Sequence, residues 1–290
     1  MLSTPATDMD RYAKSHRSGA DVCMIDLEDS VAPWRKEEAR RSAEAFFTAP
    51  SSAGVRCGLR INAVTGPDGL RDLLAIEQYP VKPDVLVVPM VESARDLEIV
   101  ERVLAPSCPQ IDLFAVVETP RGIDNLAEIA AASGRLRALV FGAADYSFAT
   151  GTSLAWEALV HARARLVNSA RAANVEAVDS PVFAIGDADG LRREVPLSFD
   201  LGFSGKIAVH PSQIPIINEA FSPDPGTLEK ARRIVAAGRS GSVGIGVVDG
   251  AMVGAPFFEA SRRLIEEFGS PADRVLSSTG NGSAGNGRKD

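Results

Sequence analysis

The chain contains two short apolar runs that each end on a carboxylate, Leu113-Phe-Ala-Val-Val-Glu118 and Leu139-Val-Phe-Gly-Ala-Ala-Asp145. Such a run is typical of a strand buried in a parallel sheet, and its last residue lies at the carboxyl end of the strand. In a barrel of alternating strands and helices, active sites are built at that end. Two acidic side chains delivered there by neighbouring strands provide the oxygen ligands that Mg²⁺ or Mn²⁺ prefers.

Similar short β-branched runs alternate with helical patterns along most of the chain. Each return to a parallel neighbour needs a crossover helix, so this order indicates a parallel sheet. About eight units fit if residues 1–5 form the first strand, which favours an α/β fold of the closed TIM (β/α)8 type. The other predicted strands lie near 21–26, 55–62, 84–89, 113–118, 137–145, 175–179 and 206–209, with helices near 37–47, 68–78, 93–104, 122–132, 153–173 and 191–201.

The pattern predicts three segments. Residues 1–221 form the barrel, which is the catalytic domain, and Ser222-Pro-Asp-Pro-Gly226 interrupts the alternation. Residues 222–270 read as a C-terminal helical extension in which a Gly-rich, hairpin-like stretch separates two helices. This extension is too small to hold a core alone, so we expect it to pack on the barrel or at a subunit interface. Residues 271–290 are predicted to be a disordered tail.

Composition indicates a soluble cytoplasmic enzyme. The net charge of −7 and the pI near 5.2 argue against nucleic acid or an anionic membrane as the main partner. Apolar stretches all fall well short of the roughly 18 residues that a membrane span requires, and no signal peptide is expected. The three cysteines lack metal-binding spacing, which fits a reducing compartment.

More charged residues fall at predicted strand ends. Asp26-Leu-Glu-Asp29 closes the second strand and Arg60 lies near the end of the third. Arg60 could hold a substrate carboxylate or carbonyl bidentately while a metal ion holds another oxygen. A chelated 2-oxo acid or enolate would then be stabilised as negative charge develops on its oxygen. Such a site suits making or breaking a carbon–carbon bond next to that carbonyl.

Each of these residues also has a structural interpretation. Asp26, Glu28 and Asp29 could belong to a solvated loop and a helix cap, and Asp145 could cap the helix that follows it. Glu118, which precedes Thr-Pro, could be a turn acid. Arg60 could simply pair with the acidic loops.

Taken in order, the motifs resemble the citrate lyase β-subunit family, within the HpcH/HpaI aldolase superfamily. The resemblance covers residues 1–268. The matching stretches are Gly19-Ala-Asp-Val-Cys-Met-Ile-Asp-Leu-Glu-Asp-Ser-Val-Ala-Pro33, Leu59-Arg-Ile-Asn62, Val88-Pro-Met-Val-Glu-Ser93, Val117-Glu-Thr119, Phe141-Gly-Ala-Ala-Asp-Tyr146, Gly202-Phe-Ser-Gly-Lys-Ile-Ala-Val-His-Pro-Ser-Gln-Ile214 and Phe221-Ser-Pro223.

The resemblance implies a TIM barrel with a Mg²⁺ site (Mn²⁺ being the other candidate), assembled as a homo-oligomer, a trimer or hexamer. It also implies a carbon–carbon lyase that cleaves or forms 3-hydroxyacyl thioesters of CoA or a carrier protein, with an acyl thioester and an oxo acid as the other reactants. Carried over by motif, the metal ligands are Glu118 and Asp145, the catalytic residues are Arg60, Glu28 and Asp29, and the substrate contacts are Arg60 and Pro120.

Two positions depart from the family pattern. Met90 stands where the family usually has a lysine, and Gly254 stands where many malyl-CoA and citramalyl-CoA lyases have an acid/base aspartate. Glycine cannot move a proton, so either a nearby group such as Asp249 substitutes, or the chemistry tolerates the loss, or the protein uses a different substrate. These departures leave open an aldolase for free hydroxy-oxo acids, or a non-catalytic, accessory homologue.

Overall fold

Eight parallel strands in chain order form one sheet, β1 to β8. The computed structural model describes residues 1–49, 51–240 and 245–270, and the chain divides into two compact units, Met1–Phe221 and Ser222–Asp290. The strands of the first unit are β1 Leu2–Pro5, β2 Val22–Asp26, β3 Arg56–Arg60, β4 Val85–Val88, β5 Asp112–Val117, β6 Leu136–Phe141, β7 Glu176–Asp179 and β8 Gly205–Lys206.

The sheet closes between its last and first strands. Leu2 forms a parallel bridge with Ala208. The Ser3 amide donates to the Ala208 carbonyl at 2.9 Å, and the Ala208 amide donates to the Met1 carbonyl at 2.7 Å. The predicted (β/α)8 barrel is therefore confirmed.

Helices cover the strands of this unit, and the structure differs from the prediction at one helix and at one strand. They are α1 Tyr12–Ser15, α2 Lys36–Thr48, α3 Pro67–Gln78, α4 Ala94–Leu104, α5 Pro120–Asp124, α6 Leu126–Ala130, α7 Ala143–Thr150, α8 Trp156–Ala172, α9 Ala188–Leu201 and α10 Ile214–Phe221. The single helix expected over 122–132 is the pair α5 and α6. The strand expected to run to Asp145 ends at Phe141, because Gly142 turns the chain into α7.

The strands are apolar along their length because both of their faces are buried. Inside the barrel, Met24, Val87 and Val116 belong to one cluster with neighbouring valines. Their chain neighbours Ile25, Leu86 and others belong to a second, larger cluster that includes the helices. Side chains alternate between the two faces of a strand, so one continuous apolar run supplies both layers.

The second unit is a hairpin with two helices, α11 Pro225–Ser240, β9 Ile245–Val248, β10 Ala251–Gly254 and α12 Ala255–Phe268. Asp249 and Gly250 have positive φ angles of 52° and 78°, as the tight turn of a two-residue hairpin requires. The predicted disordered tail, 271–290, lies outside the described residues. No helix in the described part of the chain has the length and apolar character needed to cross a membrane.

A buried charge cluster joins the last strands to their helices. The Asp179 carboxylate of β7 accepts from Lys206 Nζ of β8 at 2.6 Å, from Arg163 Nε of α8 at 2.8 Å and from Ser198 Oγ of α9 at 2.7 Å. The Lys206 and Asp179 side chains are both fully buried. Burial alone would raise the pKa of Asp179, but Lys206 and Arg163 hold it below its ordinary value.

Lys206→Met is expected to lower the free energy of unfolding by about 3–5 kcal/mol, because it leaves a buried carboxylate short of a partner. The pKa of Asp179 is lower in the folded state than in the unfolded state, so its pairing stabilises the fold above the unfolded pKa. This stabilisation is lost as the pH falls through the folded pKa, so the difference between variant and wild type should shrink in acid. Urea unfolding at several pH values measures both effects.

Arg165→Met is the matched control. Arg165 forms a 2.8 Å ion pair with Asp124 on the surface, where such pairs contribute little. An equal loss of stability in the two variants would contradict a special role for the buried cluster.

Candidate functional site

A cavity of about 360 Å³ opens at the carboxyl ends of the barrel strands. Its walls combine the apolar barrel interior with charged residues at the ends of β2 and β3 and in the segments that follow β2, β5 and β6. The lining includes Asp26, Asp29, Arg60, Glu118, Gly142 and Asp145. The structure thus brings together both predicted metal ligands and two of the predicted catalytic residues.

Asp26 and Arg60 form the central contact of this cavity. They are register partners at the ends of β2 and β3. Arg60 Nε and Nη2 donate to the two Asp26 oxygens, each at 2.7 Å. Burial would raise the pKa of Asp26, but the Arg60 charge and hydrogen bonds hold it below its ordinary value. The charged form of Asp26 is therefore favoured, and its two hydrogen bonds fix the plane of the Arg60 guanidinium.

The same carboxylate also shapes the loop that follows β2. Asp26 accepts hydrogen bonds from the backbone amides of Glu28 at 2.9 Å and Ser30 at 3.2 Å. Lys36 Nζ closes the loop from the other side, since it donates to the Leu27 and Glu28 carbonyls, each at 2.8 Å. These contacts to backbone amides and carbonyls hold the loop that carries Glu28 and Asp29.

Glu28 and Asp29 crowd the remaining nitrogen of Arg60. Nη1 lies 2.8 Å from Glu28 Oε2 and 3.5 Å from Asp29 Oδ2. Burial raises the pKa of Glu28 to about 9 against the opposing charge of Arg60, and repulsion from Glu118 adds to the rise. Burial likewise raises the pKa of Asp29. The carboxyl groups near Arg60 thus outnumber its single positive charge, and the charged forms of Glu28 and Asp29 are disfavoured.

Glu118 follows β5 directly and is almost fully buried. Its Oε1 accepts from the Met90 amide at 2.8 Å, an amide presented by the left-handed conformation of Met90, with φ of 54°. Burial raises the pKa of Glu118 to about 7, and the charge of Asp145 contributes in the same direction. One oxygen of Glu118 is thus anchored to the loop after β4.

The second oxygen of Glu118 depends on Gly142. A Cβ at position 142 would overlap Glu118 Oε2, so only glycine lets this carboxylate lie against the backbone at the end of β6. Three residues later, Asp145 lies in the first turn of α7. The two acids therefore reach one cavity, Glu118 from a strand end and Asp145 from a helix.

The donor set of this cavity fits a Mg²⁺ ion. Among the described residues, no group of three or more His, Cys, Asp or Glu side chains is arranged to hold a metal. Mg²⁺ needs only one or two carboxylates, because it keeps several of its waters. The lining contains one cation, Arg60, against four carboxylates, Asp26, Asp29, Glu118 and Asp145.

Two predicted residues lie apart from the cavity wall. Glu28 does not line it but contacts Arg60. Pro120 is the first residue of α5, is exposed and does not line the cavity, so its role as a substrate contact stays a prediction. Sequence reasoning gave Asp26 only a place in a solvated loop or helix cap, whereas the structure buries it against Arg60, and it gave no role to the Met90 amide. For Asp26, the signal in the sequence was a carboxylate and an arginine at the ends of consecutive predicted strands.

Gly142→Ala is expected to displace Glu118 and weaken Mg²⁺ binding at least tenfold, because the new methyl occupies the space of the carboxylate. Titration calorimetry of the purified protein with Mg²⁺ measures the affinity. Gly134→Ala is the matched control, since a Cβ there meets nothing within 4 Å. Unchanged affinity in Gly142→Ala would contradict the placement of Glu118.

Comparison with known proteins finds relatives that match most of the chain. A citrate lyase subunit β from Haemophilus influenzae is 31% identical over 278 residues, covering 92% of this chain and 95% of the relative. A (3S)-malyl-CoA thioesterase from Cereibacter sphaeroides is 36% identical over 262 residues, covering 87% and 88%.

Solved structures agree with the sequence relatives. The protein CitE from Mycobacterium tuberculosis, in complex with magnesium, acetoacetate and coenzyme A, superposes with a TM-score of 0.78 and 32% identity, covering 93% of this chain and 97% of that one. RipC from Yersinia pestis gives a TM-score of 0.69 and 38% identity, covering 78% and 95%. The model of the HpcH/HpaI aldolase/citrate lyase family matches residues 1–211, and the chain belongs to this family.

Proposed function

We propose that this chain is a Mg²⁺-dependent carbon–carbon lyase that cleaves or forms a 3-hydroxyacyl-CoA-type thioester, with an acyl thioester and an oxo acid as the other reactants. The observation that carries the proposal is the meeting of Glu118, Asp145 and Arg60 in one cavity at the carboxyl end of the barrel. Relatives named citrate lyase subunit β and L-malyl-CoA/β-methylmalyl-CoA lyase support this reaction class.

Glu118 and Asp145 are the residues that would hold Mg²⁺. When bound there, the ion supplies a Lewis acid that polarises the oxygen of the oxo acid. Two structural features prepare the carboxylates for this role. The Met90 amide fixes one oxygen of Glu118, and α7 carries Asp145 in its first turn.

Arg60 orients the substrate and stabilises charge on its oxygen. Asp26 occupies the Nε and Nη2 hydrogens that lie on one edge of the guanidinium. A bidentate contact with substrate would therefore use the end of the guanidinium formed by Nη1 and the second Nη2 hydrogen, where Glu28 Oε2 also lies 2.8 Å from Nη1. Because Asp26 and the loop carboxylates hold the group rigidly, little reorganisation is needed as negative charge develops in the reaction.

The apolar barrel interior excludes water from the reacting atoms. Met24, Val87 and Val116 form the floor of the cavity. An enolate formed beside them is protected from competing proton transfer with bulk water, and charge–charge interactions with Arg60 are strengthened.

The proposal predicts a product in a mass-spectrometric scan of the purified protein with Mg²⁺. Acetyl-CoA or propionyl-CoA is paired in turn with glyoxylate, pyruvate and oxaloacetate. A new 3-hydroxyacyl-CoA, or its hydrolysed acid, is expected with at least one pair. Competition by free CoA separates a thioester enzyme from an aldolase for free hydroxy-oxo acids, because only the former is inhibited. The absence of product from every pair would contradict the proposal.

Glu118→Gln and Asp145→Asn are each expected to abolish turnover and to weaken Mg²⁺ binding by more than about 100-fold, beyond the usual effect of losing an outer-sphere partner. Calorimetry with Mg²⁺ and the product assay measure the two effects on the same samples. Glu157→Gln, an exposed change in α8, is the control. Activity that survives in either metal-site variant after chelation would argue against a metal-dependent lyase.

The assembly also belongs to the proposal. We expect a homo-oligomer, a trimer or hexamer, in a cytoplasmic setting, with the second unit at the subunit interface. The support is the resemblance in sequence motifs and the small size of the core in this unit, Ile234, Val248 and Val253. Light scattering of the purified chain distinguishes these states from a monomer.

A further inference from the structure

Ser180 forms a hydrogen-bonded bridge behind the metal site. It follows the last residue of β7 and is fully buried. Its hydroxyl donates to the Phe141 carbonyl at 2.7 Å and accepts from the Ala143 amide at 3.0 Å. One side chain thus spans the turn at Gly142, joining the end of β6 to the start of α7.

This turn determines where both predicted metal ligands lie. Gly142 touches the Glu118 carboxylate so closely that no Cβ fits between them. Ala143 begins α7, and its amide is one of the first N–H groups of the helix, which lack partners within the helix itself. Asp145 follows on the same first turn. A shift of the turn therefore moves Asp145 relative to Glu118.

The segment that carries Ser180 is itself rigid. Asp179, the preceding residue, is held by Lys206, Arg163 and Ser198 in the buried cluster described above. Arg163 also lies over the Phe141 ring, 5.2 Å from its centroid. Ser180 thus bonds to the Phe141 carbonyl, and Asp179 is connected to the Phe141 ring through Arg163. A shift of β6 would disturb both contacts.

We propose that Ser180 is a positioning residue of the lyase, and that its bridge from Phe141 to Ala143 sets the separation of Glu118 and Asp145 needed to hold Mg²⁺. Ser180 touches neither the ion nor the substrate and acts through the turn. This inference rests on the proposed function for its metal, while the bridge itself is a feature of the protein alone.

Ser180→Ala removes both hydrogen bonds, and two measurements test the consequence. The first is amide hydrogen exchange without metal, in which the segment from Gly142 to Tyr146 is expected to exchange faster than in the wild type. The second is Mg²⁺ affinity by calorimetry, expected to fall about 10- to 100-fold, the range for removing a partner that orients a metal ligand. Ser180→Thr keeps the hydroxyl and is expected to recover most of the affinity.

Tyr79→Phe is the matched control. Tyr79 is also buried and its hydroxyl donates to the Arg40 carbonyl at 2.5 Å, so the variant loses a buried hydrogen bond without touching the Gly142 turn or the end of β7. It is expected to lower the melting temperature while leaving Mg²⁺ affinity and exchange at 142–146 near wild-type values.

In the product assay, Ser180→Ala is expected to raise the Mg²⁺ concentration needed for half-maximal rate, with the rate at saturating Mg²⁺ less affected.

Each outcome has a defined meaning. Unchanged exchange at 142–146 in Ser180→Ala would overturn the positioning role, as would an equal loss of Mg²⁺ affinity in Ser180→Ala and Tyr79→Phe. Faster exchange together with unchanged affinity would also overturn it. If the wild type bound no Mg²⁺, the proposed function would fail, whereas exchange at the turn would still report on the bridge.

Discussion

The paired contact of Asp26 with Arg60 is the interaction on which the catalytic end of this barrel depends. It joins neighbouring strands, fixes the guanidinium and leaves Asp26 able to hold the amides of Glu28 and Ser30. Burying two charges is costly, and such a pair is retained only where its hydrogen bonds are complete. Here the desolvation cost is offset by four hydrogen bonds to one carboxylate. The result is a cation whose orientation is decided before any substrate arrives.

A second constraint is the space available to Glu118. Its carboxylate lies between the left-handed backbone of Met90 and the bare backbone of Gly142. Placing an acid this deep raises its pKa, as the proximity of Asp145 also does. The raised pKa of Glu118 is consistent with a site that functions with a bound cation. A cation held by these carboxylates would offset both the burial and the repulsion from Asp145. The fold thus accepts local instability where the chemistry needs it.

Sequence reasoning reached the barrel because both faces of each strand are buried, and continuous apolar runs such as 113–117 follow from that burial. It also placed Glu118, Asp29 and Arg60 at one end, since parallel strands share their carboxyl edge. It did not foresee that β6 stops at Phe141 or that Asp145 comes from a helix, because the apolar run continues through Gly142 without a break. The Met90 amide and the Ser180 hydroxyl were also missed, since their partners are distant in sequence and depend on tertiary packing.

The end of β7 shows how one segment can serve both stability and chemistry. Asp179 turns its carboxylate outward to Lys206, Arg163 and Ser198, while Ser180 bonds to the Gly142 turn. Consecutive residues of an extended chain face opposite sides, so the charged cluster and the bridge belong to the same rigid piece of backbone. The buried charges would be replaceable by apolar side chains if stability alone mattered. Their directional hydrogen bonds instead fix the strand end in one register, and that precision is what a two-carboxylate metal site requires.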